Sequence, residues 1–580
     1  MSRSPAPPPV TARPAATLVP VRDGADGPQL LLLRRADRGD QNSRAWVFPG
    51  GLLDASDRLA RVYCDGLDDA RASARLGLPK GGLDHPIAAL RECFEEAGLL
   101  LARNAEGRPI GAELAAEASW RRALQRGDRS LADLCEARGW QLAVDALHPI
   151  AHWITPLGMP KRFDTRFFLA AAPAGQVAEH DGHEMVEHRW LRPADALAQQ
   201  GEGLVTGPAR TILEQLAPMG SVAAMLAWAR SLGVPTPIQP RRGRLADGRI
   251  APIPPQHPAY PELGRIDPTG RGHASSVIEP GAVVPLSPAG SVLRVTAPNG
   301  SVMTGPGTNS YLLRAGTQDA DGWAVIDPGP DGPDHQAHLR ALLAAAPGPI
   351  RWILVTHTHI DHSPAAAALK AATGAAVCGQ PPQHPEWQDR AFAPDRILID
   401  GERLELGPAL TLEVIHTPGH AANHLCYRHV QERLLFTGDH VMQGSTVVIN
   451  PPDGDMAAYL ASLQALLDRS DDADAGFDWI APGHGFLIPQ PPRVLTLLLR
   501  HRRRREAAVL AALVRLGPCD LDTLLPVVYH DVPLQRHPVA ARSLRAHLLH
   551  LQAQGRVQAT GPQWQALSLT SDEAPTSLQT

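Results

Sequence analysis

The segment Thr356-His357-Thr358-His359-Ile360-Asp361-His362 places three imidazoles and a carboxylate within six residues. It follows the apolar run Trp352-Ile353-Leu354-Val355, which reads as a buried strand. A strand ending in such a cluster delivers its donors to one point beyond its carboxyl end. Nitrogen and oxygen donors suit zinc and its first-row neighbours, so the pattern predicts a water made nucleophilic by metal. A single histidine is ordinarily a capping or surface residue. Repetition argues against that reading here. His416-Thr417-Pro418-Gly419-His420 follows Leu412–Ile415, Thr437-Gly438-Asp439-His440 follows Leu434–Phe436, and Ala481-Pro482-Gly483-His484-Gly485 follows Trp479–Ile480. Each is a strand, a glycine-bearing turn that lets the backbone fold back tightly, and then a donor.

Strand and helix patterns alternate from near Val292 to His484, which implies a layered α/β domain. In their order the motifs resemble the metallo-β-lactamase superfamily, as do Thr304–Asn309 and Asp327-Pro328-Gly329. The resemblance implies an αββα sandwich with two Zn²⁺, or another divalent transition metal, between its sheets. His357, His359 and His420 would bind one ion, Asp361, His362 and His484 the other, and Asp439 would bridge. Asp361 would also hydrogen-bond the attacking water. His416 and His440 match no ligand position and are expected to be structural.

The fold does not choose a substrate, because the superfamily hydrolyses β-lactams, thioesters and phosphodiesters. Downstream, His501-Arg502-Arg503-Arg504-Arg505-Glu506 opens a helical stretch, and His537–Leu544 looks like part of a winged-helix module. That arrangement resembles a β-lactamase-like branch whose animal members cleave single-stranded RNA. A basic run on a helix is ordinarily a solvated face. The functional alternative is that Arg502, Arg503, Arg504 and Arg505 track phosphates of single-stranded RNA. A glyoxalase-II-like thioester hydrolase, with a degenerate N-terminal binding domain, is the competing expectation.

The N-terminal region carries a second chemical signal. Phe48-Pro49-Gly50-Gly51 precedes Arg91-Glu92-Cys93-Phe94-Glu95-Glu96-Ala97-Gly98-Leu99. Glu92, Glu95 and Glu96 stand at helical offsets and share a face. Crowded carboxylates repel, and a hard cation such as Mg²⁺ or Mn²⁺ relieves that repulsion. A solvated acidic helix is the ordinary alternative, and the upstream glycines and the closing Gly98 argue against it. The run resembles the second half of the Nudix box, REUxEExGU (U, aliphatic), with Cys93 in the first U place. By resemblance Glu95 and Glu96 take metal and Glu92 binds metal or orients water, in an α/β/α sandwich that cuts a nucleotide-type small molecule. The two halves of the box are split by about 30 residues, Ala55–Leu83, where the motif is compact. Asp57 stands where the first glutamate is expected, and Glu184 is a candidate additional acid. Arg162–Phe168 looks like the branch that includes a coenzyme A diphosphatase.

A chain of 580 residues holds roughly two to four domains. The expected order is a disordered lead-in (1–14), the Nudix domain (15–234), a Pro/Gly/Arg-rich linker (235–288), the metallo-β-lactamase domain (289–495), a winged-helix-like module (496–570) and a disordered tail (571–580). The net charge of -5 excludes a bulk polyanion binder. Six scattered cysteines without a CxxC pair point to a reducing compartment. No apolar run approaches the roughly 20 residues of a membrane span. The expectation is a cytoplasmic fusion of two metal-dependent hydrolases. A scaffold protein with degenerate centres is the expectation from another class.

Overall fold

The computed structural model describes residues 10–39, 43–198, 205, 207–287, 289–317 and 321–567. They fall into two compact units.

The first unit is built on a mixed sheet. Strand Arg13–Gly24 pairs antiparallel with Gly27–Arg35, parallel with Phe163–Ala171 and antiparallel with Gly50–Leu52. Alternate side chains leave a strand on opposite faces. Leu18, Leu31 and Leu33 therefore meet Ile87, Leu90 and Phe94 of helix Asp84–Ala97 on one side. Val19, Val21, Leu30 and Leu32 meet Ile212, Leu213 and Met225 of helices Gly207–Leu216 and Val222–Ser231 on the other. The result is the α/β/α sandwich. Of the expected disordered lead-in, residues 1–9 lie outside the described residues, whereas Arg13 and Pro14 pair with Phe163 and Asp164 in the sheet. The insertion at 55–83 is ordered. It forms a 3-10 helix, Ala55–Tyr63, and an α-helix, Asp69–Leu76, which place Ala60, Ala72 and Leu76 in the core.

The second unit stacks a seven-stranded sheet on a six-stranded one. Tyr311, Leu313, Ile326 and Leu354 of the first sheet pack on Leu412, Val414, Tyr427 and Phe436 of the second. Leu342 and Leu369, from helices Gln336–Ala345 and Ala365–Thr373, cover the outside of the first sheet. Tyr459, Leu463, Leu495 and Leu499, from helices Met456–Ser470 and Pro491–Leu516, cover the second. Helix Pro491–Leu516 runs across the boundary expected at residue 495 and continues into a small core formed with helices Leu521–Val528 and His537–Ala553 and the hairpin Val557–Thr560/Gln563–Ala566. The expected tail at 571–580 lies outside the described residues. Among the described residues no helix is long and apolar enough to cross a membrane.

The stretch expected as a linker at 235–288 is not a bare connector. Helix Tyr260–Ile266 carries Glu262, which is 1% exposed and pairs twice with Arg294, at 2.8 and 3.0 Å. Glu262 also accepts from the amide of Leu487 at 2.8 Å. Val283–Pro285 pairs with Val292–Thr296 as an edge strand. The reason is electrostatic: a guanidinium buried in a sandwich needs a buried counter-charge, and the sequence supplies it from a Pro/Gly-rich stretch. Glu262→Ala is therefore expected to destabilise the intact chain by about 3–5 kcal/mol, read by urea unfolding. A loss below about 1 kcal/mol, the scale of an exposed pair, contradicts this account.

Candidate metal centres

In the second unit every expected donor follows the carboxyl end of a strand. His357–His362 follow Ile350–Leu354, His420 follows Leu410–His416, Asp439 follows Leu434–Gly438, and His484 follows Trp479–Pro482. The donor atoms form two groups, His357/His359/His420 and Asp361/His362/Asp439/His484, each within 4.8 Å. Asp439 faces both. Its Oδ1 lies 3.4 Å from His362 Nε2 and 3.2 Å from His484 Nε2, and its Oδ2 lies 3.8 Å from His420 Nε2. Gly483 makes room for this: a Cβ there would sit 2.4 Å from Asp439 Oδ1.

The far nitrogen of each imidazole is held. His357 Nδ1 meets Thr356 Oγ1 at 3.0 Å, His362 Nδ1 meets Asp327 Oδ2 at 3.0 Å, and His359 Nε2 meets Asp453 Oδ2 at 3.0 Å. His420 Nδ1 faces the carbonyl of Val448 at 2.8 Å, and His484 Nδ1 that of Gly307 at 3.1 Å. Such contacts fix ring orientation and tautomer. The near nitrogens of His357, His362 and His484, with Asp439 Oδ1, are buried and make no hydrogen bond. Buried polar atoms are normally paired, so these inward atoms fit a cation.

The electrostatics point the same way. Burial, reinforced by neighbouring imidazoles, holds His357 well below the usual histidine range and His420 at about 4, so both are neutral. Burial acts to lower His362 as well, but Asp361, Asp439 and Asp327 outweigh it and hold it protonated. Burial would raise Asp361 and Asp439, yet the facing imidazoles keep both ionised. In the second group the two ionised carboxylates thus favour positive charge on the imidazoles: Asp439 and Asp361 also raise His484 against its burial.

His416 is exposed and stands outside both groups. His440 is fully buried and neither ring nitrogen has a partner. His424, unremarked in the sequence, stacks on His357 with ring centroids 4.9 Å apart. Asp327 and Asp453 emerge as the partners that hold the candidate donors His362 and His359. Asp327 also accepts from the amide and hydroxyl of Thr356, at 2.7 and 2.8 Å.

In the first unit Arg91 organises the acids. Its Nη1 donates to Glu92 at 2.9 Å and Glu95 at 3.4 Å, and its other face grips Asp57 at 2.7 and 3.3 Å. Asp57, placed by counting from Gly51, is buried and orients Arg91. Glu92 packs so close to Gly51 that a Cβ there would lie 2.4 Å from Oε1. Glu96 turns inward and accepts from the amide of Gly50 at 2.9 Å. Arg91 and Gly50 therefore divide the three glutamates, and they do not gather as the second unit's donors do. Burial, then Glu92, pushes Glu96 well up, and the charge of Glu184 adds to this. Glu184 thus stands beside the acids, with Arg38 at 3.7 Å.

Burial, with Glu95 nearby, raises Glu92 to about 7 from 4.5. The folded state then binds this proton more tightly than the unfolded state does. Without divalent cation, stability should fall as pH rises from about 4.5 to about 7, and Mg²⁺ should flatten the fall. Unfolding followed across this range, with and without Mg²⁺, checks the sign. A metal-free stability that rises there contradicts it.

Family profiles match the chain in three places: the Metallo-beta-lactamase superfamily at residues 303–484, the NUDT19 Nudix domain at 67–205 and the Beta-lactamase associated winged helix domain at 521–564. A Beta-lactamase-like protein 2 homolog of Drosophila melanogaster is 30% identical over 281 residues, covering 46% of this chain and 90% of that protein. The chain belongs to the metallo-β-lactamase superfamily. It is a hydrolase of that fold, preceded by a NUDT19-type Nudix domain and followed by a winged helix. An atrochrysone carboxyl ACP thioesterase of Passalora fulva is 29% identical over 230 residues, 38% of this chain and 61% of that protein. A crystal structure of a Nudix hydrolase from Alicyclobacillus acidocaldarius aligns at 28% identity over 39% of this chain and 99% of that one, with a TM-score of 0.34.

Helix Pro491–Leu516 revises the arginine expectation. Arg502 is 3% exposed, donates to the carbonyl of Val447 and lies over the ring of Tyr459. Arg505 forms a two-pronged pair with Asp531, at 2.8 and 2.9 Å, over Tyr529. Only Arg503 and Arg504 of the run are exposed. Four arginines free to track phosphates are not present, because two of them hold the fold.

In the metallo-β-lactamase domain Asp453→Ala is expected to weaken metal binding by about 10–100-fold, since the ring of His359 loses its holder. Chelator competition measures this, and an unchanged affinity contradicts it.

Proposed function

We propose that the metallo-β-lactamase domain carries a dinuclear centre of Zn²⁺ or another divalent transition metal that hydrolyses a thioester. The Nudix domain, loaded with Mg²⁺ or Mn²⁺, cleaves a pyrophosphate in a nucleotide-type small molecule. The observation that carries the dinuclear reading is Asp439, with one carboxylate oxygen toward each donor group. His357, His359 and His420 would hold one ion, and Asp361, His362 and His484 the other, with Asp439 between. The bound pair would supply Lewis acidity and a water of lowered pKa. The chain's own residues do the rest. Thr308 Oγ1 donates to Asp361 Oδ2 at 3.1 Å and fixes that carboxylate, which is placed to take a proton from the attacking water. His357 and His420, neutral through burial, present lone pairs rather than protons. In the first unit Arg91, held by Asp57, sets the spacing of Glu92 and Glu95.

A thioester is favoured over RNA by two observations. Arg502 and Arg505 are engaged within the fold. The loops that carry Thr308 and Asp361 also expose Val302, Met303 and Ile360, an apolar rim suited to an acyl chain and unsuited to a polyanion. The similarity to a protein named as a thioesterase supports the same choice. The test assays the intact chain on acyl thioesters and on single-stranded RNA, with and without chelator. Chelator-sensitive thioester turnover that is insensitive to salt is expected. RNA cleavage that weakens steeply with salt would reverse the substrate assignment.

A further inference from the structure

We infer that Arg502 is a positioning residue for the metal ligand His420, and that the C-terminal module helps to build the metal centre. This rests on the dinuclear reading above. His420 depends on its neighbours twice over. Its Nδ1 faces the carbonyl of Val448 at 2.8 Å. Its turn, Pro418-Gly419-His420, lies against Tyr459 so closely that a Cβ on Gly419 would sit 2.4 Å from Tyr459 Cα. Both supports lead to Arg502. Its Nη2 donates to the carbonyl of Val447, the residue before Val448, and its guanidinium lies 5.2 Å from the centre of the Tyr459 ring.

Residues 446–450 belong to no strand, so no sheet ladder holds Val448 in place. The segment is pinned on both sides of Val448 instead. Arg502 takes the carbonyl of Val447, and Ser543 Oγ, on helix His537–Ala553, accepts from the amide of Ile449 at 3.3 Å. Packing agrees: Ala546 of the same helix shares one apolar cluster with Val447, Ile449, Met456 and Tyr459. Two side chains from the C-terminal helices thus leave the Val448 carbonyl aimed at His420. That contact keeps the proton on Nδ1 and the Nε2 lone pair toward the metal. A buried guanidinium needs a partner wherever it sits, but this one is placed where its partner controls a ligand.

The test titrates the intact chain with Zn²⁺ against a chromophoric chelator, for wild type, Arg502→Gln, Arg502→Lys, Ser543→Ala and Leu524→Ala. Leu524 lies in the winged-helix core, in an apolar cluster that includes no residue of 446–450, and reports general loosening of the module. Wild type should bind roughly two ions; a chain that binds none overturns the dinuclear reading itself. Arg502→Gln and Ser543→Ala should weaken one of the two ions by about 10–100-fold and leave the other tight. Arg502→Lys, which keeps a cationic donor, should recover part of the loss. Leu524→Ala should lower the melting temperature and leave both affinities unchanged. Equal metal loss in Leu524→Ala, or unchanged affinity in both Arg502→Gln and Ser543→Ala, overturns the inference. Ser543→Ala keeps the test open if Arg502→Gln does not fold.

Discussion

Asp439→Asn should lower hydrolysis at the metallo-β-lactamase centre by about 10²–10³-fold or more, the scale on which single preorganised electrostatic contacts act. Bound transition metal should fall from roughly two ions per chain to one or fewer. Asparagine keeps the shape of the side chain and removes its charge, so the effect isolates electrostatics. That charge faces His362 and His484 through one oxygen and His420 through the other. Asp361 remains in the variant, so the second group keeps one carboxylate and loses the one shared with the first. Activity at the Nudix site should not change, which provides an internal control in the same sample. Metal analysis beside turnover gives the answer. Full metal content with full activity would remove Asp439 from its bridging role.

The second large effect belongs to the Nudix helix. Glu92→Gln and Glu95→Gln should each reduce Mg²⁺-dependent pyrophosphate cleavage by about 10²–10⁴-fold, the range for loss of a positioned acid or base. Hydrolysis at the other centre should be untouched. Glu92→Gln should also stabilise the metal-free protein above pH 7. The wild-type carboxylate, raised to about 7 by burial and then by Glu95, must ionise there at a cost that glutamine avoids. A variant that loses activity and gains stability is the mark of a carboxylate kept for function. Denaturant unfolding at pH 8 reads the second half of the prediction. A loss of stability at that pH would show that the Arg91 pairing, at 2.9 Å, outweighs the burial.

The candidate donors were legible because each is a local event. A strand, a glycine turn and a donor occupy a handful of consecutive residues, and His357, His359, Asp361, His362, His420, Asp439 and His484 gather into two groups. What orients them was not legible, because it comes from far along the chain. Asp453 meets His359 across 94 positions, and Asp327 meets His362 across 35. No periodicity links such pairs. The arginine run shows the opposite failure. Its charge is plain in the sequence, but the burial of Arg502 depends on a carbonyl 55 positions earlier. Composition misled at 235–288, where prolines and glycines suggest a free connector while Glu262 waits for a guanidinium in the next domain. Asp57 lies between these cases. Counting from Gly51 placed it, and only its grip on Arg91 gave it a role.

If the seven donors form one dinuclear hydrolytic centre separate from the Nudix site, bound transition metal follows those donors alone, and metal analysis of the intact chain after exhaustive dialysis reads it. Roughly two transition-metal ions per chain are expected, retained in a Glu92→Gln/Glu95→Gln double variant and reduced in Asp439→Asn. A wild-type chain that retains no transition metal, or one whose metal leaves with the Nudix glutamates, would contradict it.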